Sequence, residues 1–221
     1  MRTQTRSFRR FDPSLLTPSE RGVFRRLDTA VKLQDYIDRI PVNFEETGDT
    51  CHSPRLVLRE RKCHCIEAAF FAAAVFWSHG RPAWAVDLRA NPYDWDHVVA
   101  VFMEKDRYGA VSKSNHAVLR YRDPVYANPR ELIMSYFHEY MDFKGNKTLR
   151  EWCRPYDLSR LGMDWVVADH GLWKVQNFLD DLPHEKILSG SNARILRKVD
   201  RIERRANELV QTAYKPKGKR F

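Results

Sequence analysis

Cys63-His64-Cys65-Ile66-Glu67-Ala68-Ala69-Phe70-Phe71-Ala72-Ala73-Ala74 is followed downstream by Asp96-His97-Val98-Val99-Ala100-Val101-Phe102. The first stretch opens a helix of small residues with a thiol. The second opens an apolar strand with a histidine. From Cys65 onward, Ala68, Ala69, Ala72 and Phe76 keep helical spacing, and His79-Gly80 supplies a stop. Alanines on the buried side let neighbouring backbone come close, so the spacing predicts a central, tightly packed helix.

After Pro82 the period changes to two, with β-branched and aromatic residues over 83–88, 97–102 and 108–113. Glu104-Lys105-Asp106-Arg107 is a polar turn, which makes the last two strands an antiparallel hairpin. Before the thiol, Thr17-Pro18-Ser19-Glu20 reads as a helix start and Asp28 as the cap of a second helix through Leu33, Ile37 and Ile40. Ser53-Pro54 opens a short third helix leading to Cys63. Beyond 115 the chain reads as loop, then a helix over about 130–141, an aromatic irregular stretch over 149–169, and a helix or extended piece over 171–182. Ile195, Val199, Ile202, Ala206 and Leu209 fall on one stripe among arginines, predicting a basic amphipathic helix before a disordered-looking Lys215-Pro216-Lys217-Gly218-Lys219-Arg220.

With 221 residues, 43% hydrophobic and 30% charged, the chain suits one sizeable core with terminal additions. The expected division is a basic N-terminal extension (1–27), a core (28–152), an irregular aromatic part of the same domain (153–193), and a basic helix and tail (194–221). Of the net charge of +9, residues 194–221 carry +7 and residues 1–26 carry +5, leaving −3 for the middle. That balance argues against a basic groove through the core and so disfavours nucleic acid, while the basic C-terminal helix suits an acidic partner. No apolar run approaches the roughly 18 residues of a membrane span, and the N-terminus opens no secretion-type apolar region. The expectation is a cytoplasmic protein with no membrane association and four reduced cysteines.

A cysteine in the first turn of a helix faces unpaired N–H groups, which favour thiolate over thiol, and a nearby imidazolium favours it further. Cys65 is therefore the candidate nucleophile and His97 the candidate base, while Cys63 and His64 read as flanking residues. A turn centred on Asp106 sets His97 opposite Asn115 and Ala100 opposite Ser112. Asn115 is then placed to orient the imidazole. A register slipped by a residue or two brings Ser114 or His116 opposite instead, and Asp96, pointing to the other strand face, is a weaker orienting candidate. Cys51-His52 and Cys63-His64-Cys65 gather five possible metal ligands. Their spacing departs from the Cys-x₂₋₄-Cys pairs of structural zinc, so neither metal nor cofactor is expected.

Taken together, Gln34, Asn43-Phe44-Glu45, Ser53-Pro54, Cys65-Ile66-Glu67-Ala68-Ala69, Asp96-His97-Val98 and Gly109-Ala110-Val111-Ser112-Lys113-Ser114-Asn115 resemble a bacterial transglutaminase-like cysteine-peptidase-type family. The likeness extends through 119–124 and 147–150, covering about residues 30–152. It implies an α+β, papain-like fold with the cysteine-bearing helix packed on an antiparallel sheet. It also implies thiol-dependent acyl transfer or hydrolysis on an amide or ester of a protein or peptide substrate. Cys65 would be the nucleophile and His97 the base. Where many transglutaminases carry an aspartate as third member, the comparable strand here carries Ser112, with Asn115 just beyond. The resemblance further implies an oxyanion hole formed by the Gln34 side-chain amide and the Cys65 backbone N–H. The rival expectation is a catalytically silent peptide-binding module of the same fold.

Overall fold

The computed structural model describes residues 9–213. The first eight residues and the basic tail beyond 213, including Lys215–Arg220, lie outside the described residues. Helices form where caps and prolines predict them. Thr17 and Glu20 close a reciprocal capping box on α1 (Pro18–Arg26), and the Ser53 hydroxyl caps α3 (Pro54–Glu60). Between them α2 spans Ala30–Arg39. Its cap is Thr29, because the carboxylate of Asp28 is engaged by Lys32 at 2.8 Å.

Helix α4 (Cys65–Ser78) is the centre of the molecule. Every residue from Ile66 to Trp77 is buried, as expected of a helix apolar on all sides and enclosed on all sides. It lies against an antiparallel sheet of β1 (Trp84–Ala90), β2 (His97–Glu104), β3 (Arg107–Val111), β4 (Arg122–Tyr126), β5 (Leu149–Cys153), β6 (Tyr156–Asp157) and β7 (His184–Lys186). The strand order is β4-β3-β2-β1-β5-β7, with β6 pairing β1. One hydrophobic cluster runs from Phe11 to Leu179 through helix and sheet.

Further expectations need correction. The β2–β3 turn has two residues, Lys105 and Asp106, both at positive φ (47° and 61°), so Glu104 pairs with Arg107 and Ala100 with Val111. This two-residue geometry matches the strand twist and shifts the register by one from a turn centred on Asp106. Helix α5 covers only Pro129–Met134, because Ser135 turns its hydroxyl back on the Leu132 carbonyl and the chain then coils to bury Tyr136 and Tyr140. The stretch expected to be irregular contains β5, β6 and the short α6 (Asp164–Val167), followed by α7 (Trp173–Asp180).

The long C-terminal amphipathic helix is replaced by α8 (Gly190–Arg194) and α9 (Arg201–Asn207). The break falls where Asp200 and Glu203 form their own capping box. Its apolar stripe stays in water, with Ile202 72% and Leu209 66% exposed. No helix among the described residues is long and apolar enough to cross a membrane.

Candidate active site

Cys65 occupies the first turn of α4 and is half-buried, whereas Cys51, Cys63 and Cys153 are free and fully buried. Burial pushes those three thiols up to about 12. Burial acts on Cys65 in the same direction, but hydrogen bonding to His64 and His97, with the positive charge of both rings, outweighs it and brings the thiol down to about 5. At neutral pH Cys65 is therefore a thiolate held between two imidazoles.

The two rings are oriented by different means. His97, at the start of β2, places Nε2 2.8 Å from the Ser112 hydroxyl. His64 caps α4 and places Nε2 3.1 Å from the Thr50 carbonyl, with the Glu67 carboxylate at 3.4 Å and Glu45 at 3.5 Å. A carbonyl only accepts, so His64 Nε2 carries the proton and Nδ1 is left for the thiol. Burial would lower His64, but Cys65 and Glu67 raise it to about 9. Glu67, with no exposed surface, accepts from the backbone N–H groups of His52 and His64, from the Thr50 hydroxyl and from Asn43 Nδ2. Burial would raise this carboxyl as well, but His64 and these donors hold it low.

The other expected site residues separate. Ser112 reaches His97. Asn115 does not, because its side-chain amide is bonded to the backbone of Thr212. The physical reason is that β3 ends at Val111 and Gln34 takes over as partner of the next residue: Gln34 Oε1 accepts the Ser112 N–H at 3.0 Å and its Nε2 donates to the Ser112 carbonyl at 2.8 Å. The second amide proton of Gln34 goes to Asp38 at 3.0 Å. Both amide protons of Gln34 are thus engaged, and its side chain spans the backbone of Ser112. The Cys65 backbone N–H, in the first turn of α4, has no intrahelical acceptor. Ser114 accepts from the His116 N–H, and Asp96 accepts from the Ala90 N–H, each on a backbone group of its own neighbourhood.

His64 is the functional candidate that sequence reasoning passed over. Its signal was a residue at the cap position followed three places later by Glu67, the spacing of a capping box, which puts the cap side chain beside the first-turn thiol. Among the described residues no group of three or more His, Cys, Asp or Glu is arranged to hold a metal ion.

The thiol opens into a cleft of about 370 Å³ lined by His64, Cys65, His97, Ser114, Tyr140 and residues of α9, among others. Tyr93, Trp95 and Phe143 also line it and are 81%, 88% and 95% exposed. Exposed aromatics at the mouth of a cleft offer a large apolar contact area. No protein-family model and no curated protein matches this sequence.

Proposed function

We propose that this chain is a thiol-dependent acyl-transfer enzyme or hydrolase acting on an amide or ester carbonyl, built on a papain-like, transglutaminase-like plan. The observation that carries the reading is geometric: a helix-start thiol shares one cleft with His64 and His97, the latter held by Ser112, and the two rings bring the thiol down to about 5. The order of elements supports it too: a cysteine-bearing helix, then a histidine-bearing strand, then a polar orienting residue past the hairpin.

In this reading the Cys65 thiolate attacks the carbonyl carbon and the oxyanion collects beside the Cys65 N–H. As the tetrahedral species collapses, the carbon–nitrogen or carbon–oxygen bond breaks and His97 passes its Nδ1 proton to the leaving group. Water or an amine then attacks the thioester and gives a proton to His97, and the thiolate leaves. Ser112 keeps the His97 ring in place, and His64 holds the thiolate from the other side. The silent peptide-binding alternative is favoured by the exposed aromatic rim alone, and it predicts an ordinary thiol near 8.5.

The test is acylation by p-nitrophenyl acetate at pH 6. An initial burst of p-nitrophenolate with one acetyl group mapped to Cys65, absent from Cys65→Ala, is expected. An unmodified Cys65 under these conditions would sink the proposal.

A further inference from the structure

Beside the cleft the chain runs back along its own edge. Residues 209–212 pair antiparallel with residues 115–117: the Ala117 N–H donates to the Leu209 carbonyl at 2.9 Å, the Gln211 N–H donates to the Asn115 carbonyl at 2.7 Å, and His116 faces Val210. Asn115 lengthens this ladder with its side chain. Its Nδ2 donates to the Thr212 carbonyl at 2.9 Å and its Oδ1 accepts the Thr212 N–H at 3.0 Å. An amide that satisfies both backbone groups of one facing residue is well made to clasp an extended strand, whatever its side chains. Asn115 and His116 also line the Cys65 cleft, and the segment just before the strap adds Arg204, Asn207 and Glu208 to its wall.

The strap is held by polar contacts and not by burial. No side chain among residues 201–213 is buried. Hydrogen bonds exchanged with water contribute little net stability, so the strap can lift without exposing core. When it does, the Asn115 carbonyl, the Ala117 N–H and the Asn115 amide are left facing the rim, open to another extended backbone.

We infer that residues 115–117 are the docking edge for an extended polypeptide substrate, and that residues 209–212 occupy this edge as a tethered competitor. The inference rests on the proposed function for what becomes of the bound chain, but strand capture itself does not need the thiol. Tethering matters quantitatively, because a short flexible linker presents its end at an effective concentration in roughly the millimolar range. A free peptide must therefore be titrated to millimolar excess to displace the strap, whereas a covalently closed strap cannot be displaced at any concentration.

The test uses full-length protein carrying Cys65→Ala in three forms: otherwise unaltered, with Gln211→Pro, and with His116→Cys plus Val210→Cys. Proline at 211 removes the N–H that bonds the Asn115 carbonyl. The cysteine pair replaces a facing, non-hydrogen-bonded pair, whose Cα separation of about 4.5 Å lies within disulfide range. The probe is a fluorescein-labelled peptide of residues 205–213, followed by anisotropy.

The Gln211→Pro form should bind it at least about tenfold more tightly than the unaltered form, a difference of about 1.4 kcal/mol. The oxidised double-cysteine form should lose binding and regain it on reduction. Equal affinity in the oxidised and reduced forms, with the disulfide verified by mass spectrometry, would overturn the inference even if Gln211→Pro proved unfolded. Since Cys65 is absent throughout, failure of the thiol chemistry and failure of strand capture are read separately.

Discussion

His97 Nε2 sits 2.8 Å from the Ser112 Oγ, and that hydroxyl donates its single proton to the Leu119 carbonyl at 2.6 Å. Ser112 can therefore only accept from the ring, so Nε2 carries a proton and Nδ1 is the nitrogen that meets Cys65. A neutral hydroxyl thus fixes the ring without adding charge.

The Cys65 thiol should alkylate with iodoacetamide along a profile that rises through about pH 5. The thiolate fraction grows as pH increases through that value. An alkylation midpoint near 8.5, the value of an ordinary thiol, would contradict the assignment.

Replacing either histidine should raise that midpoint, because an opposite charge close to an acid lowers it by about 1–3 units. The two variants should differ in turnover. His97→Ala also removes the proton donor and should lose about 10²–10⁴-fold in kcat, whereas His64→Ala keeps proton transfer and loses chiefly thiolate. Measuring kcat above the raised midpoint separates them.

Ser112→Ala removes one acceptor from the imidazolium. A hydrogen bond worth about 0.5–1.5 kcal/mol corresponds to at most about one pH unit, so the Cys65 midpoint should rise by up to that amount. Asn115→Ala should leave the midpoint where it is, since its amide bonds residue 212 and not His97. Iodoacetamide profiles of the two variants give the comparison.

Glu67→Gln should destabilise the protein by about 1–3 kcal/mol, because an amide turns a donor toward groups that all require an acceptor. Glu67 is held below its ordinary 4.5, so the stability it confers is present above 4.5 and lost as pH falls through its lower folded value. Urea titrations at pH 7 and in the acid range should show the gap between variant and parent narrowing as pH falls.

Much of the plan was legible because it is local. Thr17-Pro18, Ser53-Pro54 and the alanines after Cys65 specify their helices through capping and spacing, and His97 opens its strand as the apolar alternation predicts. Ser112 was legible as a partner of His97 only as an alternative to Asn115, since the choice between them depends on two facts with no local signature. One is a turn of two left-handed residues, which moves the register by one. The other is Gln34, 78 positions from Ser112, taking the place of a strand. The exposed stripe of α9 escaped for a related reason: periodicity reports which residues share a face but not whether anything covers it.

Lys113 is buried beside Ser112, and its ammonium bonds the carbonyls of Ile37 and Ile40 at 2.9 and 2.5 Å, at the end of the same helix whose Gln34 holds the Ser112 backbone. Helix α2 thus grips two consecutive residues of the segment that carries the orienting hydroxyl. A tilt of that helix would therefore carry the Ser112 hydroxyl with it and turn the His97 ring, so a change at the outer surface of α2 would reach the side of the cleft opposite Cys65's own helix.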